Sequence, residues 1–308
     1  MNFLFIGLGS IGQRHLRNLI NFSKNDKIFA YRRKYSTPAL NNKNEVVNFN
    51  LIEKYRIKEI HSLNNLNKFN IDAAIVCTPS SLHAKEIINL AKQKINIFVE
   101  KPLCTSLNEI SKIKKIIKKN NIITMVGYQL KFNPIINYLK KKISKIEKNL
   151  NFIQINHGES VKNFHPYENY IQSYASRKKL GGGVILTQIH EFDYMKYMLD
   201  SFRLIKIESL NSKISNLKID VEDTLSSIFF FKKKNKKILC NINLNYYEIP
   251  KNRTIKIILN NGVIEADLNK QIVIQNINGG KLIKKFKFNK NDIYIKELKY
   301  FYNCVKNK

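Results

Sequence analysis

The chain opens MNFLFIGLGSIGQRHL, and the glycines of that stretch constrain the fold more than any other feature. Gly7, Gly9 and Gly12 are spaced G-x-G-x-x-G. Before them, Asn2 to Ile6 is a nearly all-apolar run of the kind buried on both faces of a parallel sheet. After them, Ile11, Leu16, Leu19 and Ile20 recur at roughly helical spacing. The glycines therefore fall in a strand-to-helix turn. There the first permits the tight turn, the second lets backbone approach a pyrophosphate, and the third lets helix pack on strand. The unpaired N–H groups at the helix start would face the phosphates. On this reading the turn from Gly7 to Gly12, Ser10 and Ile11 included, holds a dinucleotide. The alternative, a flexible loop, would not need the flanking strand and helix.

The same rhythm continues. Lys27–Tyr31, Ile71–Cys77, Ile95–Val99 and Ile122–Val126 read as strands, and Ser10–Asn21, Ser80–Lys94 and Leu107–Lys119 as helices. Such alternation signals a βαβ parallel sheet. Residues 33–70 leave room for one more strand and helix. Beyond Lys131 the pattern changes. Helices fit Pro134–Lys145, Gly183–Leu199 and Asp292–Val305. Strands fit Leu225–Phe231, Ile238–Tyr246, Thr254–Leu259, Val263–Asp267 and Ile272–Ile277. In ILCNINLNYY the apolar Cys240, Ile242, Leu244 and Tyr246 alternate with Asn241, Asn243, Asn245 and Tyr247, as in an antiparallel sheet covered on one side. The expected class is α/β: a nucleotide-binding parallel sheet over residues 1–128, then an α+β domain over 129–308.

A formal charge of +31, from 54 basic and 23 acidic residues, invites a nucleic-acid reading. The excess is almost all lysine, with eight arginines, and it is spread along the chain rather than gathered in one arm. In SKIKKIIKKN the isoleucines make an apolar stripe and the lysines fill the solvated face. We therefore expect no nucleic-acid partner, although the charge favours anionic substrates such as phosphorylated sugars. Cys77, Cys104, Cys240 and Cys304 form no C-x-x-C pair, so no metal site is expected. The first strand leaves no room for a signal peptide and no apolar run is membrane-long, so a cytoplasmic protein is expected.

Ligands of open parallel sheets bind outside the carboxyl ends of the strands. Three segments lie there. At the second strand, the position about 20 residues past the glycines, where an acid would bond the ribose of NAD, is Arg32, followed by Arg33. Asp26 precedes the strand and so sits at the wrong edge. The arginines suit a 2′-phosphate, hence NADP with NAD possible; one more basic loop is the alternative. In CTPSSLH, Thr78, Pro79 and His83 would pass near the nicotinamide half, and Ser80 or Ser81 can cap the next helix. A capped turn explains that composition equally well. In VEKPL, Glu100 and Lys101 follow a buried strand, and Pro102 makes a cis bond possible. Lys101 can serve proton transfer, or the two can be a surface ion pair.

In KLGGGVILTQIHEFDY, a helix would place Leu186, His190, Asp193 and Tyr197 on one face. A histidine with a carboxylate one turn on can be an oriented general base, although a helix histidine is more often structural. HEFDY is not the H-E-x-x-H zinc motif, since Tyr194 stands at the second histidine position.

Together, GLGSIGQRH, TPSSLH, EKPL, GYQLKFNP, GGGVILTQIHEFDY and VEDTLSSIF resemble the Gfo/Idh/MocA oxidoreductases, in a variant seen in surface-polysaccharide and nucleotide-sugar metabolism. The resemblance implies a Rossmann domain followed by a domain with a large open sheet that often mediates oligomers, a dimer or tetramer. It implies hydride exchange between NAD(P) and a sugar-type carbinol or ketone. It makes Lys101 catalytic, with His190 as the family histidine and Asp193 as its H-x-x-D aspartate. The chain departs from the family at Thr187, where many members carry Asp, at Lys131, where the branch usually has Arg, and in ending soon after IKELKYFYNCV. A dinucleotide-binding sensor without activity is the alternative.

Overall fold

The computed structural model describes residues 1–32 and 37–308. The first unit is a six-stranded parallel sheet of β1 (Asn2–Ile6), β2 (Lys27–Tyr31), β3 (Lys58–Ile60), β4 (Ala73–Val76), β5 (Asn96–Glu100) and β6 (Thr124–Gly127). Its order, β3-β2-β1-β4-β5-β6, reverses direction between β1 and β4 and so opens a crevice at their carboxyl ends. Residues 3–6 and 73–76 are fully buried, as a strand covered on both faces requires. The connecting helices are α1 (Ser10–Phe22), α2 (Leu51–Lys54), α3 (His83–Lys92) and α4 (Leu107–Asn120). Among the described residues, the weakly periodic stretch before residue 70 supplies the short α2 and β3 and a 3-10 turn at Leu66–Phe69.

The second unit begins with α5 (Pro134–Ile146), capped by the Asn133 side chain on Ile135 N. Its sheet has eight strands: β7 (Leu150–Gly158), β8 (Arg203–Ser212), β9 (Thr224–Lys233), β10 (Lys236–Asn245), β11 (Asn252–Leu259), β12 (Gly262–Asp267), β13 (Ile272–Ile277) and β14 (Gly280–Lys285). The order is β14-β13-β12-β11-β7-β10-β9-β8, antiparallel except for β7 beside β10. Inward residues such as Ile153, Ile155, Cys240, Ile242 and Ile257 pack with Ile136 and Leu139 of α5 and with Tyr194 and Met198. On the other face, Ile228 and Leu239 are exposed, while Asn241, Asn243 and Asn156 bond to one another.

Two expectations change. Gly183–Leu199 is not one helix: α6 (Val184–Thr187) ends in a turn and α7 (His190–Met198) begins anew. And α8 (Lys290–Lys306) reaches beyond the unit that precedes it. Leu298, Phe301 and Val305 complete the core of Phe3, Phe5, Leu16 and Ile75 beneath the first sheet. Tyr302 stacks on Phe3 at 5.8 Å, and the Asn18 and Asn291 amides bond to each other. The last helix thus packs on both units, since Ile293 at its start joins the core of the second sheet.

Candidate active site

A cavity of about 800 Å³ runs from the glycine turn to α7, between the two units. At one end Gly7 has φ +90°, and a Cβ on it would stand 2.9 Å from the Cys77 carbonyl. A Cβ on Gly12 would come within 2.3 Å of the Gly7 oxygen, so Gly12 packs the helix on the turn and does not itself border the cavity. A Cβ on Gly9 would meet nothing within 4 Å. Gly9 is also the N-cap of α1, and no side chain caps that helix. Open space above free helix N–H groups fits a pyrophosphate. Ser10 and Ile11 border the same space. The residues present therefore fit a dinucleotide.

Farther out, Tyr31 and Arg32 line the cavity. Arg33 lies outside the described residues. Asp26 is bound to the Met1 amine at 2.7 Å, at the opposite edge of the sheet.

Thr78 and Pro79 line the cavity, but His83 does not. Its ring is buried, with Nδ1 2.7 Å from Pro102 O and Nε2 2.9 Å from Thr78 O. His83 thus ties the TPSS turn to the EKP turn instead of meeting a ligand. Neither serine caps α3, because Ser80 and Ser81 form a 3-10 turn beneath the second unit. There Gly181, at φ +81°, approaches so closely that a Cβ would lie 2.9 Å from that of Ser80.

Glu100 and Lys101 are not an ion pair. Glu100 Oε1 meets His15 Nε2 at 2.7 Å in a buried contact. Burial raises the Glu100 carboxyl, but His15 and Lys101 together outweigh it and hold it below the usual carboxylate value. Lys101, on a cis bond to Pro102, instead crosses to the second unit, where its Nζ donates to Thr187 O at 2.7 Å. That carbonyl is free because the helix breaks after it.

The break puts His190 at the first position of α7, on the cavity wall. Burial pushes its imidazole well below the usual histidine value, and the charges of Lys101 and Arg253 push it further. It is therefore neutral, and its buried Nδ1 has no partner among the described residues. Asp193 does not orient it. That carboxylate turns away to Lys131 Nζ at 2.8 Å and does not border the cavity. Burial raises its carboxyl above the usual value.

Sequence reading passed over several residues here. His157 comes from the central strand β7, where inward positions alternate with Gln154 and Asn156. Its Nδ1 is 3.0 Å from Glu191, which also holds Arg253 at 2.7 Å. Burial raises the Glu191 carboxyl, yet Arg253 and His157 bring it down to about 2, so the pair stays ionised. His165 and Tyr167, 3.2 Å apart, cover the cavity from the loop after β7. The signal was there in NFHPYENY, a run with three aromatic residues and a histidine.

A parallel sheet with a phosphate-accepting turn, open on a cavity at its carboxyl edge, is the arrangement of a dinucleotide-binding fold. Residues 1–128 match the family described as the GFO_IDH_MocA oxidoreductase family, NAD-binding Rossmann fold. The chain is 29% identical over 196 residues to scyllo-inositol 2-dehydrogenase (NAD(+)) of Bacillus subtilis, a match over 63% of this chain and 52% of that protein. It thus spans about half the length of that relative. It is 26% identical to myo-inositol 2-dehydrogenase of Thermotoga maritima over 98% of this chain and 87% of the other. A solved UDP-N-acetylglucosamine 3-dehydrogenase of Acidithiobacillus ferrooxidans shares the fold at TM-score 0.76 and 13% identity, over 100% of this chain and 89% of that one. No helix among the described residues is long and apolar enough to cross a membrane.

Proposed function

We propose that the protein is an NADP(H)-preferring dehydrogenase or reductase acting on a CH–OH or ketone of a sugar, sugar phosphate or nucleotide sugar. The observation that carries this reading is the meeting of Lys101 and His190, one from each unit, in the cavity onto which the glycine turn opens. A bound nicotinamide dinucleotide supplies the acceptor or donor of hydride. Gly7 to Ile11 and the start of α1 would hold its pyrophosphate, and Arg32 would meet its ribose end. Neutral His190 takes the hydroxyl proton during oxidation and returns it during reduction. The Lys101 ammonium stabilises the oxygen as negative charge develops on it. Names of relatives that act on inositols and on UDP-N-acetylglucosamine support a polyol or sugar substrate.

The test is a panel of sugars, sugar phosphates and nucleotide sugars, followed by nicotinamide absorbance with NADP and with NAD. A hydride-transfer signal with one sugar class is expected, with NADP favoured by about tenfold or more. Arg32→Ala should shrink that preference. No signal with any sugar would leave only a dinucleotide-binding sensor. Equal use of the two cofactors would remove the NADP assignment.

A further inference from the structure

We infer that the substrate carries an oxyanion, a carboxylate or a phosphate, and that Arg14 receives it in a side chamber of the cavity; this rests on the dehydrogenase reading above. The chamber, of about 200 Å³, opens off the main cavity, and Arg14, Gln129, His157, Arg253 and Tyr294 border both. Arg14 stands on α1 two residues beyond Gly12. Its guanidinium lies over the Tyr294 ring, 4.9 Å from the centroid. That ring is fixed in turn, because Gln129 Nε2 donates to its hydroxyl at 3.1 Å. Stacking on a ring face occupies the plane of a guanidinium and leaves its N–H donors pointing outward.

Those donors have no acceptor among the described residues. Its neighbours are engaged: Arg17 donates to Asn42, Leu40 and Asn41, and Arg253 Nε to Glu191. Lys251 and Lys290 add positive charge to the chamber wall, against Glu159, which Lys251 meets at 3.4 Å. A fixed, positive fork in a recess is the arrangement that binds a carboxylate or phosphate through paired hydrogen bonds. The group received there is not a cofactor phosphate. Nothing from Gly7 to Ile11 borders the chamber, while His157 and Arg253 join it to the end of the cavity that holds His190.

The experiment titrates the full chain, saturated with NADP, calorimetrically with glucose, glucuronate and glucose 6-phosphate. At least one acid is expected to bind about tenfold tighter than glucose, and the better of the two identifies the oxyanion. Arg14→Ala and Arg14→Gln should each erase that gap, Arg14→Lys should keep part of it, and NADP affinity should stay within about twofold. No gap in the unaltered protein, or a gap that survives Arg14→Ala, overturns the inference. So does an equal loss of NADP affinity, which would assign Arg14 to the cofactor. A charge preference without hydride transfer for any sugar would sink the dehydrogenase reading and leave the chamber standing.

Discussion

Lys101 Nζ donates at 2.7 Å to the carbonyl of Thr187, three residues before His190. One hydrogen bond thus spans the two units and sets the spacing between the two groups proposed to handle the reacting oxygen. The ammonium has two further N–H donors for that oxygen. Lys101→Ala is expected to lower kcat by about 10²–10³-fold, as loss of an oxyanion donor does, with NADP affinity changed by less than about twofold. Steady-state rates and a cofactor titration decide it. Weakened cofactor binding at unchanged kcat would contradict the role.

His190 provides a pH signature. Burial, then Lys101 and Arg253, lower its affinity for a proton. A lowered value keeps the neutral form to lower pH, so the acid limb of kcat/KM for oxidation should fall below about pH 6.5, the free-histidine value. Stability carries the same sign. Below about pH 6.5 the unfolded chain takes up this proton and the native one does not, so stability drops as pH falls. Imidazole NMR of the unaltered protein and of Lys101→Met measures it. The variant should titrate at higher pH, and an unmoved or lower value would refute the coupling.

The parts of this site that depend on local sequence were readable, and those set by tertiary contact were not. The glycine turn works through backbone conformation that Gly7 and Gly12 themselves specify, so it was visible. The break after Thr187 was not, because LTQIHEF has continuous helical character. It is imposed by partners elsewhere, with Lys101 on Thr187 O and Glu222 O taking Val184 N. Asp193 was placed by the same kind of contact: one turn from His190 in sequence, it pairs with Lys131 in space. His157 sits inward on a strand whose outward face carries Phe152, Gln154 and Asn156, a pattern that marks a strand but not a site. Periodicity showed α8 to be amphipathic without saying whose core it would cover.

Glu297 of α8 should limit stability. It is fully buried, and neither carboxyl oxygen has a partner among the described residues. Burial pushes it well above the usual carboxylate value, and Glu100 and Asp193 add to that. A raised acid stays protonated in the native state while the unfolded chain ionises. Its penalty therefore grows as pH rises above about 4.3. Glu297→Gln keeps the shape without the acid and should raise Tm at about pH 8 more than at about pH 5, by about 2–4 °C for each kcal/mol recovered. Melting curves at the two pH values check it, and a variant less stable at both would refute it.

The outward face of the second sheet is proposed to join copies of the chain. Ile228 is 47% exposed and Leu239 is 41% exposed on adjacent strands, around asparagines that already bond to one another. Sedimentation at micromolar concentration should show a dimer or tetramer, and Ile228→Asp with Leu239→Asp should yield monomer. A monomeric parent would end the proposal.

The return of α8 also orders the birth of the molecule. A chain made from its amino end exposes β1 to β6 first, yet Leu298, Phe301 and Val305, which seal the face bearing Phe3 and Phe5, emerge only after the whole second sheet. Until then that aromatic surface lies bare to neighbouring nascent chains. The dinucleotide-binding unit, though written first, is finished only after the second unit has been made.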